Sequence, residues 1–277
     1  MATSENLHLI DRNGNNAEGF PVKLTSGASV QPTAIKYSEK TELRLFICDG
    51  TILKNFDASG KEVNGWKAPT LDAPLALPIR WWSFDGKDYL VTCSKAGTIK
   101  SFDRGGAARG KAFNFPRGSF NYNLLDGSNY ENIEVAAADS LGNLIRCNLN
   151  GNCKSDHILT ITDYSMLLTN ANGDVRYVSI WDEHVVGINK DLDVRLDFQT
   201  SEKITSARWI RKEKGWLALA VESSGQLYIS DSEGRMLKKM PVAGDRHNLV
   251  LDLDGNGVKE LVTHSGKGEL VAYSLSY

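Results

Sequence analysis

The sequence has few of the features that mark membrane proteins, disulfide scaffolds and the commoner enzyme classes. No apolar run approaches the roughly 20 residues that a membrane-spanning helix needs. The N-terminal Met-Ala-Thr-Ser-Glu-Asn has neither a basic start nor an apolar stretch, so no signal peptide is expected. Four cysteines in 277 residues are too few for a disulfide framework, and no CxxC pair points to zinc or thioredoxin-like chemistry. HExxH, GxSxG, P-loop and GxGxxG motifs are all missing. His8, His157, His184, His247 and His264 stand apart, none at metal-ligand spacing. A net charge of −2 supplies no global field, so neither nucleic-acid binding nor membrane insertion is expected. No stretch sustains an apolar period of 3.6, which leaves little room for helix. Proline is scarce (7) and glycine plentiful (25), a balance suited to tight turns.

What the chain does have is a repeat. A β-rich run ends in Asp/Asn-x-x-Gly and is followed by a second short run. The copies are Leu7-His-Leu-Ile-Asp11-Arg-Asn-Gly14, Ile52-Leu-Lys-Asn-Phe-Asp57-Ala-Ser-Gly60, Ile99-Lys-Ser-Phe-Asp103-Arg-Gly-Gly106, Leu144-Ile-Arg-Cys-Asn-Leu-Asn-Gly151 and Leu227-Tyr-Ile-Ser-Asp231-Ser-Glu-Gly234. A degenerate copy, Val185-Val-Gly-Ile-Asn189-Lys-Asp-Leu192, keeps the Asn and loses the glycine. The Asp/Asn positions 11, 57, 103, 148, 189 and 231 are spaced by 46, 46, 45, 41 and 42 residues. The Asp or Asn side chain can accept from the backbone two residues on, and glycine takes a positive φ without steric cost, so each copy predicts a hairpin.

Upstream of each turn lies a Val/Leu/Ala-rich run, as in 43–47, 89–92, 133–138, 175–180, 216–221 and 260–263. Such runs suit strands buried on both faces. A third, alternating run precedes several of them (33–37, 79–84, 204–209, 248–252). Three clear strands and one weaker outer strand per unit of 40-odd residues predict an all-β chain. The expectation is one β-propeller domain over 1–277, built of four-stranded antiparallel blades. Six blades are expected, the last shared between the termini, although the strand count leaves one strand over. Seven blades, with the first cut short in a longer parent chain, is the alternative.

The loop Asp252-Leu-Asp254-Gly-Asn256-Gly-Val258-Lys-Glu260 resembles the calcium loop of FG-GAP/VCBS-type propeller repeats. The Asp-x-x-Gly hairpins and Gly19-Phe-Pro21 are similar to bacterial exported propellers of the FG-GAP and PQQ-like kinds. Calcium takes six to eight oxygens. Asp252, Asp254 and Asn256 would offer side-chain oxygens, Val258 its carbonyl, and Glu260 would close the site from the next strand. Such an ion would be structural, fixing one blade edge. The competing reading is a plain acidic turn. Segments 126–134 and 170–178 sit at similar places with most ligands lost.

Other residues carry weaker signals. Cys48 and Cys93 occupy matching repeat positions and are expected to be small buried residues. Cys147 and Cys153 flank a hairpin turn and can bridge in an oxidising compartment or stay free in a reducing one. Trp81 and Trp82 are adjacent and must face opposite sides of a strand, one packing between blades. Trp66 follows a hairpin near the rim; packing between blades is the expectation, and an exposed ring for a sugar or protein partner is the alternative. Two basic clusters, Arg208/Arg211/Lys212/Lys214 and Arg104/Arg109/Lys111/Arg117, are read as solvated loops, although the second interleaves with Phe113, Phe115 and Phe120.

The functional expectation is a non-catalytic binding or scaffolding propeller with a protein or carbohydrate partner, acting as a monomer. It would be exported, periplasmic or cell-surface, as an accessory domain of a larger envelope protein; a cytoplasmic location is the alternative. An enzyme at the central channel, a glycan lyase or hydrolase or a quinone-dependent dehydrogenase, is the competing class.

Overall fold

A computed structural model describes residues 1–277 except 4, 12, 39–41, 117–118, 126, 159–165, 170–174, 211–215, 222–223, 232–234, 246–247, 266–268 and 276–277. Among the described residues there is no α-helix, only a single 3₁₀ turn at Tyr130–Asn132. Among the described residues strands pair in chain order, antiparallel, in seven separate sheets.

Sheet 1 holds β1 (Asn6–Leu7) and β2 (Val22–Lys23). Sheet 2 holds β3 (Thr33–Ile35), β4 (Arg44–Asp49) and β5 (Ile52–Asp57). Sheet 3 is β6 (Arg80–Phe84), β7 (Lys87–Cys93), β8 (Thr98–Phe102) and β9 (Phe113–Asn114). Sheet 4 is β10 (Ser119–Leu125), β11 (Glu134–Asp139), β12 (Asn143–Asn148) and β13 (Cys153–His157). Sheet 5 is β14 (Met166–Thr169), β15 (Tyr177–Trp181), β16 (His184–Ile188) and β17 (Val194–Gln199). Sheet 6 is β18 (Ser206–Ile210), β19 (Trp216–Val221), β20 (Gln226–Asp231) and β21 (Val242–Ala243). Sheet 7 has three strands, β22 (Asn248–Leu251), β23 (Glu260–His264) and β24 (Leu270–Ser274). Among the described residues β1–β2 and β22–β24 are separate sheets.

The repeated turn has one geometry wherever it is described. The side-chain oxygen of Asp57 accepts from the amides of Ser59 (2.8 Å) and Lys61 (3.1 Å), while the Asp57 amide donates to the Lys61 carbonyl. Asp11, Asp103, Asn148 and Asn189 each hold two amides in the same way. In the degenerate copy Leu192 takes the place of glycine and adopts φ 73°, a left-handed conformation that a Cβ disfavours.

Burial follows the expected pattern. The central strands β4 and β11 are almost wholly buried, whereas the outer strand β17 alternates and β13 is largely exposed. Two-residue outer strands such as β9 and β21 leave little open edge.

The chain divides into two compact units. Residues 1–135 and 146–154 make the first, and 136–145 and 155–277 the second, so the division runs through sheet 4. In the first unit, Leu7, Phe20 and Leu24 pack with Leu45, Ile47 and Phe56. A larger cluster joins sheets 2 and 3 through Phe46, Cys48, Leu53, Leu75, Ile79 and Leu90. In the second unit, Val178, Ile180, Val185 and Leu196 pack with Ile204, and Leu227 and Ile229 pack with Leu261 and Leu275. Removing one such side chain, as in Leu90→Ala, costs about 2–5 kcal/mol. Cys48 and Cys93 are buried as expected, and burial pushes their thiols up to about 11 and about 12.

Trp66 packs rather than standing open at the rim. It packs against the sheet 2–3 cluster, lies edge-on to Phe46, and donates from Nε1 to the Leu53 carbonyl at 2.8 Å. The ring is more useful covering Phe46 than in solvent, and its one polar atom finds a partner there.

Candidate functional site

Two arrangements of polar side chains stand out, one in each unit. The first is the acidic connection between β22 and β23. Gly255 and Gly257 have φ of 77° and 85°, which turn the backbone sharply enough to aim successive side chains inward. Single carboxylate oxygens of Asp252, Asp254 and Glu260 lie within 4.8 Å of one another. Asp252 Oδ2 accepts from the Gly257 amide at 2.9 Å, and Glu260 Oε2 accepts from the Leu253 amide at 2.8 Å. Asp252 Oδ1 is shielded from solvent and has no hydrogen-bond partner.

Three carboxylates at this spacing repel one another, and a buried oxygen without a donor is costly. A hard divalent cation relieves both, so the residues fit calcium. Asn256 and Val258 are placed differently from the three acids. Asn256 Oδ1 accepts from the Val258 amide at 2.7 Å, and its Nδ2 donates to Asp254 Oδ2 at 2.8 Å. In this arrangement both residues close the turn.

The second arrangement lies on one edge of sheet 3. The hairpin between β6 and β7 and the turn after β8 meet at this edge. Asp88, next to the start of β7, is buried (5% exposed). Its Oδ1 accepts from Trp81 Nε1 at 2.8 Å, and its Oδ2 pairs with Nε of Arg104. The Arg104 guanidinium also lies 4.3 Å from the centre of the Tyr37 ring, which is edge-on to Trp81 at 5.6 Å. The Tyr37 hydroxyl is buried without a partner; burial, then the Asp88 charge, push it up to about 12.

Tyr89 follows Asp88 in the strand and so points to the other face of the sheet. The Arg109 guanidinium lies 5.3 Å from its ring, and Tyr130 and Phe84 lie at 4.5 and 6.2 Å. Arg104 and Arg109 therefore flank one strand end from opposite faces. Sequence reasoning singled out both arginines as part of a solvated loop interleaved with phenylalanines; the rings beside them are those of Tyr37 and Tyr89. Phe115 is buried against Tyr122. Arg117 lies outside the described residues, as does the side chain of Phe120. Tyr37 and Asp88 carried no local signal, being 67 and 16 residues from Arg104 in the chain.

The remaining candidates add no chemistry. In the other basic cluster, burial pulls the Arg208 guanidinium down, and Arg211, Lys212 and Lys214 lie outside the described residues. His8, His157 and His264 face Asn16, Asn143 and Asp245, and His184 stacks on Trp181. His247 lies outside the described residues. Cys147 and Cys153, open to either state on sequence, are joined in a disulfide.

No protein family model matches the chain, and no curated relative is found. Solved structures do resemble it. BBS1N, crystallised in complex with ARL6DN, is 12% identical with a TM-score of 0.60, over 99% of this chain and 89% of that one. BamB from Moraxella catarrhalis is 14% identical with a TM-score of 0.57, over 97% and 76%. Virginiamycin B lyase from Staphylococcus aureus is 12% identical with a TM-score of 0.53, over 89% and 85%. One of these is crystallised with a partner and another is a lyase, so the likeness carries no activity across. It shows the fold, and the fold is a β-propeller.

Proposed function

We propose that this chain is a non-catalytic binding propeller, of the FG-GAP/VCBS type, whose partner is a protein. The observation that carries the reading is the edge of sheet 3, where Arg104, Arg109, Trp81, Tyr37 and Tyr89 are held in place by Asp88 and by one another. Arg, Tyr and Trp are the residue types that dominate protein-binding energetics, and ordering them beforehand lowers the entropic cost of association. A sugar-binding platform needs an open aromatic face, whereas Tyr37 and Tyr89 each lie under a guanidinium. BBS1N, a structural neighbour, was crystallised with a second protein, which agrees with this reading.

Calcium at Asp252, Asp254 and Glu260 would serve as a structural ion that holds the β22–β23 turn. The Cys147–Cys153 disulfide favours an oxidising compartment, and hence an exported accessory domain of an envelope protein.

The test is calorimetric titration of the purified protein with a protein that co-purifies from its native source, with the partner's intact mass taken before and after. The reading requires saturable binding and an unchanged mass. A mass change consistent with hydrolysis or elimination contradicts it.

A further inference from the structure

The two guanidinium groups at the edge of sheet 3 point to the chemistry of the partner. Between residues 80 and 111 the sequence carries seven Lys and Arg, three Asp and no Glu, in a chain whose net charge is −2. Lys87, Arg104 and Arg109 lie near the strand end. Lys87 and Lys111 are exposed, and so is Lys67, whose amide donates to the Gly105 carbonyl in the turn after β8. Of the nearby acids, Asp88 is buried under Arg104, and Asp103 spends Oδ1 on the amides of Gly105 and Ala107. The edge thus presents Lys87, Arg104 and Arg109 outward against one exposed acid, Asp85 at the hairpin tip, with Asp88 and Asp103 occupied.

Asp88 holds Arg104 through Nε, and the side chain is still 51% exposed, so its terminal nitrogens are available to a ligand. Among the described residues Arg109 makes no ion pair, and its guanidinium lies over Tyr89. A guanidinium over a ring engages it through its π face, and its N–H groups can still meet a carboxylate with two parallel hydrogen bonds. The same stacking covers the aromatic faces that unpaired bases would need, which argues against single-stranded nucleic acid.

We propose that this edge docks an acidic protein segment, with Arg104 and Arg109 each receiving a carboxylate of that segment from opposite faces of sheet 3. This inference rests on the protein-binding reading above and narrows it to one surface and one partner chemistry.

Fluorescence anisotropy tests it with three labelled probes: a Glu-Gly repeat peptide, its Gln-Gly counterpart, and oligothymidylate. The Glu-Gly peptide is expected to bind in a salt-dependent way, at least tenfold more tightly than the other two. Arg109→Glu should weaken that binding at least tenfold, and Arg109→Lys, which keeps the charge and loses the fork, several-fold. Lys238→Ala, an exposed site in the other unit, should leave it unchanged.

Equal binding of the Gln-Gly peptide, tighter binding of oligothymidylate, or undiminished binding by a folded Arg109→Glu protein each overturns the proposal. Should that variant fail to fold, protection of Arg104 and Arg109 from phenylglyoxal by the Glu-Gly peptide on the unaltered protein decides the matter, and absence of protection refutes it. If the Glu-Gly peptide does not bind while a native protein partner does, this inference falls and the binding reading stands. If no protein binds, both fall.

Discussion

Arg104 and Asp88 form an unequal pair: the guanidinium is half exposed and the carboxylate is buried. The asymmetry makes their substitutions unequal too. Asp88→Ala strips Trp81 Nε1 of its acceptor and Arg104 of its anchor, and should destabilise the first unit by about 2–3 kcal/mol. Arg104→Lys keeps a cation near Asp88 and, with the guanidinium already half in solvent, should cost about 1 kcal/mol or less. Urea denaturation of the two variants measures the difference. Equal losses contradict the arrangement.

The disulfide between Cys147 and Cys153 spans the turn after β12 at a sequence separation of 6. Closing so short a loop constrains the unfolded chain modestly, by about 2 kcal/mol in the chain-entropy account. The Cys147→Ser/Cys153→Ser protein is expected to fold and to lose about that much in denaturant. Intact mass with and without reductant should differ by two hydrogens. Alkylation mapped to Cys147 and Cys153 in the unreduced native protein would contradict the pairing.

Acid should weaken the fold. Burial alone would raise the Asp49 carboxyl, but the amides of Thr25 and Ser26 and the Lys54 ammonium outweigh it and hold the group below its usual range. The Ser59 hydroxyl, chiefly, lowers Asp57; at Asp139 burial is again outweighed, by Asn143 and the Leu141 amide. Groups lowered in the folded state stabilise it above the unfolded carboxyl value of about 4, and that stability is lost as pH falls through and below it. Melting temperature is therefore expected to be flat near neutrality with respect to these groups and to fall below about pH 4. Asp49→Asn should flatten part of that fall. A melting temperature that holds or rises down to pH 3 contradicts this.

The acidic loop makes a separate thermal prediction. Calcium at about 100 times its Kd should add roughly 2.7 kcal/mol, several degrees in melting temperature, relative to EDTA. Asp254→Ala should abolish the response. Identical melting in calcium and EDTA leaves the loop a plain acidic turn.

How much of this was legible beforehand depends on the range of the interaction. The turns at 57, 103, 148 and 189 were readable because an Asp or Asn oxygen reaches amides only two and four residues on. The clustering of Asp252, Asp254 and Glu260 was readable for the same reason, although Asn256 turns to Val258 instead. The packing of Trp66 was expected but its partners were not readable, because Phe46 and the Leu53 carbonyl lie on strands earlier in the chain. Tyr37 was invisible as a partner of Arg104, since only the packing of sheet 2 on sheet 3 brings them together.

The most direct test of the binding account is site-specific photo-cross-linking from the tip of the β6–β7 hairpin. Asp85 is exposed there and can carry a photoreactive residue, with Lys238 in the other unit as the control position. The account predicts a protein adduct from position 85 and none from 238. Adducts from 238 alone, or none from 85 with the partner demonstrably bound, would contradict it.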